Sequence, residues 1–172
     1  LGTTVENIEN ILKDNQNDFL AEIANDNSEG QIVLSGKIQH IEKLSFFLKQ
    51  NKIKNIRLPV SAPFHCSLMS KATEVMREEL GKLDFKKGNN SLISNITANE
   101  IFNVDELKDL LVKQIENRVR WRESIINMID KGVNQFIEIG PGKVLSGLVK
   151  RINKVVEVSS INNVEDIKNI KI

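Results

Sequence analysis

"NIRLPVSAPFHCSLM" (residues 55–69) is where the chain changes character. Leading into it, Ile53, Ile56, Leu58 and Val60 alternate with polar residues across 53–60, which predicts a strand of imperfect spacing. Within it stand Pro59 and Pro63, the second of which keeps Ala62 extended. Beyond it, Leu68, Ala72, Val75, Met76 and Leu80 form a helical stripe. His65 therefore falls at a strand-to-helix turn, where general bases often sit, with a capping or core histidine as the alternative. Cys66 follows it directly, but adjacent residues at a helix start point in different directions. A Cys/His nucleophilic pair is not implied, and Cys66 reads as a small buried apolar residue.

Upstream, Thr3-Thr4-Val5-Glu6 fits a capping box, and Val5, Ile8, Ile11 and Leu12 share one face of a helix running to about Asn15. Strands are predicted at 19–24 and 31–34, around the turn-rich "NDNSEG". Ile38, Ile41, Leu44 and Leu48 then recur at helical spacing up to about Asn51, with His40 on the polar, solvent-facing side. The order is helix, strand, strand, helix, strand. The chain opens on "LG" just before a helix-start signal, as a fragment would. With one further strand ahead of Leu1, the order becomes the split βαβ or ferredoxin-like arrangement.

Downstream the pattern alternates. A short strand is predicted at 91–97, and a helix at 105–117 with Leu107, Leu110 and Leu111 inward and Gln114 continuing that stripe. Trp121, Ile125 and Ile129 mark a helix ending at Gly132, then come a strand at 135–139, a glycine turn entering a helix in "GPGKVLSGLVKRI", a strand at 155–159 and a short helix after Asn163. Strands alternating with helices indicate an α/β layer with parallel strands. The expected organisation is a ferredoxin-like small subdomain at 1–60 and an α/β core portion at 61–172.

Composition narrows the function classes. The chain has 172 residues, 40% of them hydrophobic and 27% charged, enough to bury a core. A net charge of +1 gives no overall drive toward nucleic acid or anionic lipid. The apolar runs are too short for a membrane span, and no signal-peptide pattern opens the chain. A single Cys and 2 His at no zinc-ligand spacing argue for a reducing compartment and against a structural metal.

"GPGK" (residues 140–143) resembles a phosphate loop only superficially. The Walker spacing needs four residues between the first glycine and the Gly-Lys pair, and Ser146 comes too late after Lys143. A structural turn explains both glycines. Arg118, Arg120 and Arg122, and separately Lys150, Arg151 and Lys154, are clusters that can meet phosphates or an acidic partner but are more often solvated faces, which is the reading taken for both.

Taken in order, "PVSAPFHCSLM", "LVKQIENRVRW" and "FIEIGPGKVLSGLVKRI" resemble the C-terminal part of the malonyl-CoA:acyl carrier protein transacylases of fatty acid synthesis, and "EGQIVLSG" (residues 29–36) is similar to that family's small subdomain. The resemblance covers essentially the whole chain. It implies an α/β-hydrolase-like parallel-sheet core carrying a ferredoxin-like subdomain. It also implies transfer of malonyl from CoA to the phosphopantetheine thiol of acyl carrier protein, through a malonyl-serine intermediate. His65 matches the family's general base. Gln114 matches the residue whose backbone carbonyl accepts the other ring N–H and fixes the tautomer, the role a carboxylate plays in a Ser-His-Asp triad. Phe64 takes the place before the histidine, which in related polyketide acyltransferases is Phe in malonyl-selective domains. A ring there leaves no room for an α-methyl group, a discrimination of about 1–3 kcal/mol.

Further implications are a cytoplasmic, monomeric full-length enzyme using malonyl-CoA as substrate and acyl carrier protein as partner, with no cofactor, metal, nucleic acid or membrane. Departures are equally informative. No serine here has glycine two positions before and after it, and the family's serine elbow, malonyl-pairing arginine and oxyanion glutamine lie upstream of the matching region. At Arg118 the family usually carries proline. The chain by itself is expected to be inactive. A non-enzymatic ferredoxin-like binding module and an acyl hydrolase of related fold are the competing expectations.

Overall fold

The computed structural model describes residues 1–170. Its contacts divide the chain into two compact units, Leu1–Ser124 and Ile125–Ile172.

The first unit begins with helix α1 (Val5–Asp14). Its cap is Thr4, whose hydroxyl accepts the Asn7 N–H at 3.1 Å, while Thr3 Oγ1 accepts from the Asn7 side chain at 2.8 Å. The Thr3/Glu6 capping box is thus corrected by one residue: Asn7, not Glu6, occupies the third helical position. Glu6 lies instead in the first turn, where a carboxylate meets the positive end of the helix dipole. Strands β1 (Ala21–Ser28) and β2 (Gln31–Gly36) pair antiparallel around a turn that Gly30 makes at φ +70°. Helix α2 (Ile38–Gln50) follows.

Ile8, Phe19, Leu44 and Leu48 form the buried core of this layer, with Ala21, Ile23, Ile32 and Leu34 of the hairpin packed against it. The opposite face of β1 buries Ala24, Asp26 and Ser28. "NDNS", read as turn, is therefore strand. His40 is half-buried, and its Nδ1 accepts the Leu20 N–H at 3.0 Å, so it secures the start of β1 and does not simply face solvent.

Residues 53–60 form no strand. Both edges of β1 are already taken, one by β2 and the other by Val119, whose carbonyl accepts the Asp26 N–H at 3.0 Å and whose N–H donates to Ala24 at 2.8 Å. Alternation alone does not make a strand, which also needs a partner to share its ladder bonds, and residues 53–60 join none of the three sheets among the described residues. Ile56, Leu58 and Val60 remain exposed.

A 3-10 turn, Ser67–Met69, leads into α3 (Ser70–Gly81), which packs beside α4 (Val104–Lys113). Between these helices, β3 (Leu92–Ile93) and β4 (Glu100–Ile101) form a minimal hairpin. Asn103 caps α4 by accepting the Asp105 and Glu106 N–H groups. Helix α5 spans Trp121–Asp130.

In the second unit, β5 (Gln135–Ile139) and β6 (Glu157–Ile161) pair in parallel through helix α6 (Val144–Ile152), and α7 (Val164–Asn169) opens with an Asn163/Asp166 capping box. The last strand starts two residues later than predicted because Asn153 Oδ1 accepts the N–H of Val155 and Val156, turning the chain there. Helices joining small sheets, one of them parallel, make this an α/β protein. Among the described residues no helix is long and apolar enough to cross a membrane.

Candidate active site around His65

His65 adopts a left-handed backbone, φ +58°, uncommon for a residue with a Cβ. Several contacts hold it there. Its own N–H donates to the Ile115 carbonyl at 3.2 Å. On its far side, fully buried Cys66 donates its thiol to the Pro63 carbonyl at 3.1 Å. Next along the chain, the Glu22 carboxylate of β1 accepts the Ser67 N–H at 3.0 Å and hydroxyl at 2.5 Å, fixing the start of the 3-10 turn.

The half-buried ring points its Nδ1 at the Gln114 carbonyl, 2.8 Å away. A carbonyl oxygen only accepts, so Nδ1 carries the proton. In the neutral ring Nε2 is then the basic nitrogen. The Gln114 carbonyl is available because Gln114 ends α4, and the last carbonyls of a helix have no partner within it.

The side chain of Gln114 is also engaged: its Oε1 accepts from Asn95 Nδ2 at 3.1 Å. Asn95 lies in the β3–β4 turn, and its own carbonyl accepts the Arg120 N–H at 2.9 Å. Neither Asn95 nor Glu22 carries a local sequence signal for such a role. Phe64, one residue before the histidine, is half exposed.

The three arginines after Gln114 are not a solvated face. Each meets its own acid: Arg118 pairs with Glu9 at 3.0 Å, Arg120 with Glu123, and Arg122 with Asp26. The last is a fork, with Nε 3.1 and 3.0 Å from the two Asp26 oxygens and Nη2 at 2.8 Å from Oδ2. Hydrogen bonding to this buried carboxylate, only 1% exposed, raises the Arg122 pKa above its already high value.

In the second unit, the start of α6 is closed by the chain's own carboxylate. Glu138 accepts the N–H of Leu145 at 3.1 Å and of Ser146 at 2.7 Å. These donors, the Ser146 hydroxyl foremost, hold the Glu138 carboxyl below its ordinary range, with burial opposing them. The glycine turn is fixed by Gly140 N–H on Ile161 O at 3.0 Å and Gly142 N–H on Asn162 Oδ1 at 2.6 Å. "GPGK" is a turn whose helix-start donors are already used. Lys150 is likewise tied down, its Nζ donating to the Val156 carbonyl at 2.7 Å. Among the described residues, no three His, Cys, Asp or Glu side chains cluster as a metal site.

No family model matches the chain. Known proteins do. The chain is 42% identical over 150 residues to the malonyl CoA-acyl carrier protein transacylase of Bacillus subtilis, covering 87% of this chain and 47% of the relative. It is similar to the crystal structure of the malonyl CoA-acyl carrier protein transacylase from Clostridium perfringens, with a TM-score of 0.91, 40% identity, and coverage of 97% of this chain and 53% of that one. It also matches, at TM-score 0.91 and 29% identity over 98% of this chain and 55% of the other, the malonyl-transacylase solved in complex with a type II PKS acyl-carrier protein. The chain spans about half the length of the curated relatives it matches. On these likenesses in sequence and fold, the chain belongs to the malonyl CoA-acyl carrier protein transacylase family, as a portion of the family's full length.

Proposed function

We propose that this chain supplies the general base, and the group that orients it, to a transacylase moving malonyl from CoA to the thiol of an acyl carrier protein in fatty acid synthesis. The observation that carries this is the 2.8 Å approach of His65 Nδ1 to the Gln114 carbonyl, on a backbone turn held from both sides. With Nδ1–H donated to a carbonyl, Nε2 takes the proton of a serine contributed from outside this chain as its oxygen attacks the malonyl thioester. The CoA thiolate leaves and takes that proton. Nε2 then accepts the proton of the carrier thiol as its sulfur attacks the malonyl-serine ester, and returns it to the serine oxygen. The Gln114 carbonyl stabilises each transient imidazolium, so no charged partner is required.

Phe64 narrows the acyl side against an α-methyl group. The transfer needs no cofactor, only malonyl-CoA as donor and the carrier thiol as acceptor, and the reading extends to a cytoplasmic, monomeric enzyme when complete. The fold within it is a ferredoxin-like small subdomain at 1–60 and a portion of an α/β-hydrolase-like core at 61–172.

Two experiments test this. The 172-residue chain, incubated with malonyl-CoA and weighed intact, is expected to gain no malonyl group; stoichiometric labelling of any serine overturns the division of roles. Fusion to the nucleophile-bearing part of the Bacillus subtilis relative is expected to restore malonyl transfer, and His65→Asn in that fusion to slow it about 10²–10⁴-fold. A fusion active with Asn at 65 removes His65 from the mechanism.

A further inference from the structure

The base at His65 is only as well placed as the carbonyl it leans on, which makes the supports of Gln114 the next point of control. Two of the contacts to residues 114–120 converge on one residue. The Asn95 side chain donates to Gln114 Oε1 at 3.1 Å, and the Asn95 carbonyl accepts the Arg120 N–H at 2.9 Å. The first fixes the residue at the end of α4, and the second fixes the segment's far end, next to the Val119 link to β1.

Asn95 itself sits in a rigid turn. Ser94 N–H donates to Asn99 O at 3.0 Å, Ala98 N–H to Ser94 O at 2.9 Å, and Ile96 N–H to Ser94 Oγ at 3.1 Å, with Ala98 at φ +57° and both Ser94 and Ala98 buried. A helix C-terminus frays readily because its last carbonyls lack partners. A side chain that ties the terminal residue to a fixed turn removes that freedom.

We propose that Asn95 is a positioning residue. By holding the Gln114 side chain it sets the direction of the Gln114 carbonyl, and through it keeps His65 in the Nδ1–H form. This rests on the proposal that His65 is the base. The bond runs through the Gln114 side chain, whereas the contact with His65 runs through the Gln114 main chain. Gln114→Ala therefore keeps the acceptor carbonyl and deletes only the tether, so it must reproduce Asn95→Ala.

Long-range ¹H–¹⁵N NMR of the imidazole reads the tautomer directly, in the chain or in the active fusion, with near-UV circular dichroism as the check on folding. The wild type is expected to show Nδ1–H predominating. Asn95→Ala is expected to lower the ratio of Nδ1–H to Nε2–H about fivefold, the loss of one ordinary hydrogen bond. Gln114→Ala is expected to match it, and the double variant to be no worse than either single one.

A wild type with Nε2–H predominating refutes the role given to His65. A wild type with Nδ1–H predominating, with folded variants that keep that ratio, refutes the role of Asn95 alone. If Asn95→Ala does not fold, Gln114→Ala decides the question, since it leaves the β3–β4 turn intact: an unchanged tautomer there overturns the proposal. In the active fusion, the same variants are expected to lower kcat with little change in KM for malonyl-CoA. A KM effect alone also counts against positioning.

Discussion

Replacing Arg122 by Ala strands a buried charge. Asp26 is 1% exposed on its side chain, and the polar contacts from Arg122 at 2.8 to 3.1 Å reach both its oxygens. Removing one partner of a fully buried pair costs about 3–5 kcal/mol, and of an exposed pair less than about 1 kcal/mol. The guanidinium is 33% exposed, so water reaches the vacated space and the cost falls toward the lower end of the buried range, about 3 kcal/mol. Trp121, the only tryptophan, adjoins Arg122 and reports unfolding of this region by fluorescence. With a urea slope of about 2 kcal/mol per molar, the midpoint is expected to fall by about 1.5 M. Asp26→Leu combined with Arg122→Met, which removes both charges, is expected to recover most of that loss, because the penalty comes from the orphaned carboxylate. A midpoint shift below about 0.5 M for Arg122→Ala, or a double variant as unstable as the sum of the single ones, refutes this account of the pair.

At Glu138 the folded carboxyl titrates below its ordinary value of 4.5, so its contribution is complete above that value and is lost as pH falls through the lower folded one. Glu138→Gln is expected to flatten the acid limb of stability against pH for the second unit, measured by helix circular dichroism; an unchanged limb removes Glu138 from the acid response. Gly36→Ala would set a Cβ 2.8 Å from the Leu20 carbonyl and 3.3 Å from Ala21 Cα, both backbone atoms. It is expected to cost about 1–3 kcal/mol in thermal unfolding. Gly81→Ala, in the last turn of α3 with nothing near the new methyl, is expected to stabilise by about 0.5–1 kcal/mol. If both glycine variants shift stability the same way, local space is not what distinguishes them.

Periodicity placed most elements. The stripes Ile8/Leu12 and Leu44/Leu48 fell on the buried faces of α1 and α2, and the strand at 135–139 was located to the residue. What stayed illegible depended on partners distant in sequence. "NDNS" is polar enough to read as a turn, yet it is strand because Asp26 finds Arg122 across 96 positions. The Arg118 charge looked solvated for the same reason, its acid lying 109 residues away. The alternation in 53–60 was real, but those residues join no ladder, and alternation alone does not say whether a partner strand lies alongside. At the candidate site, His65 stood out through its turn, Gln114 as a polar amide on an inward helical stripe that gained a role only from the family resemblance, and Asn95 not at all, since one asparagine in a hairpin turn has no pattern to betray what its amide reaches.

The left-handed backbone at His65 also bears on how copies of this chain can decay. Apart from glycine, such an angle is entered at all often only by asparagine, aspartate and histidine, and a β-branched or bulky apolar residue there carries about 1–3 kcal/mol of strain. Genetic drift after loss of catalysis is therefore channelled: asparagine or glycine is the easy replacement at 65, and leucine or valine is penalised by the fold even when nothing selects for chemistry. A histidine retained there in a divergent copy is weaker testimony to activity than its rarity suggests, because the turn itself admits so few alternatives.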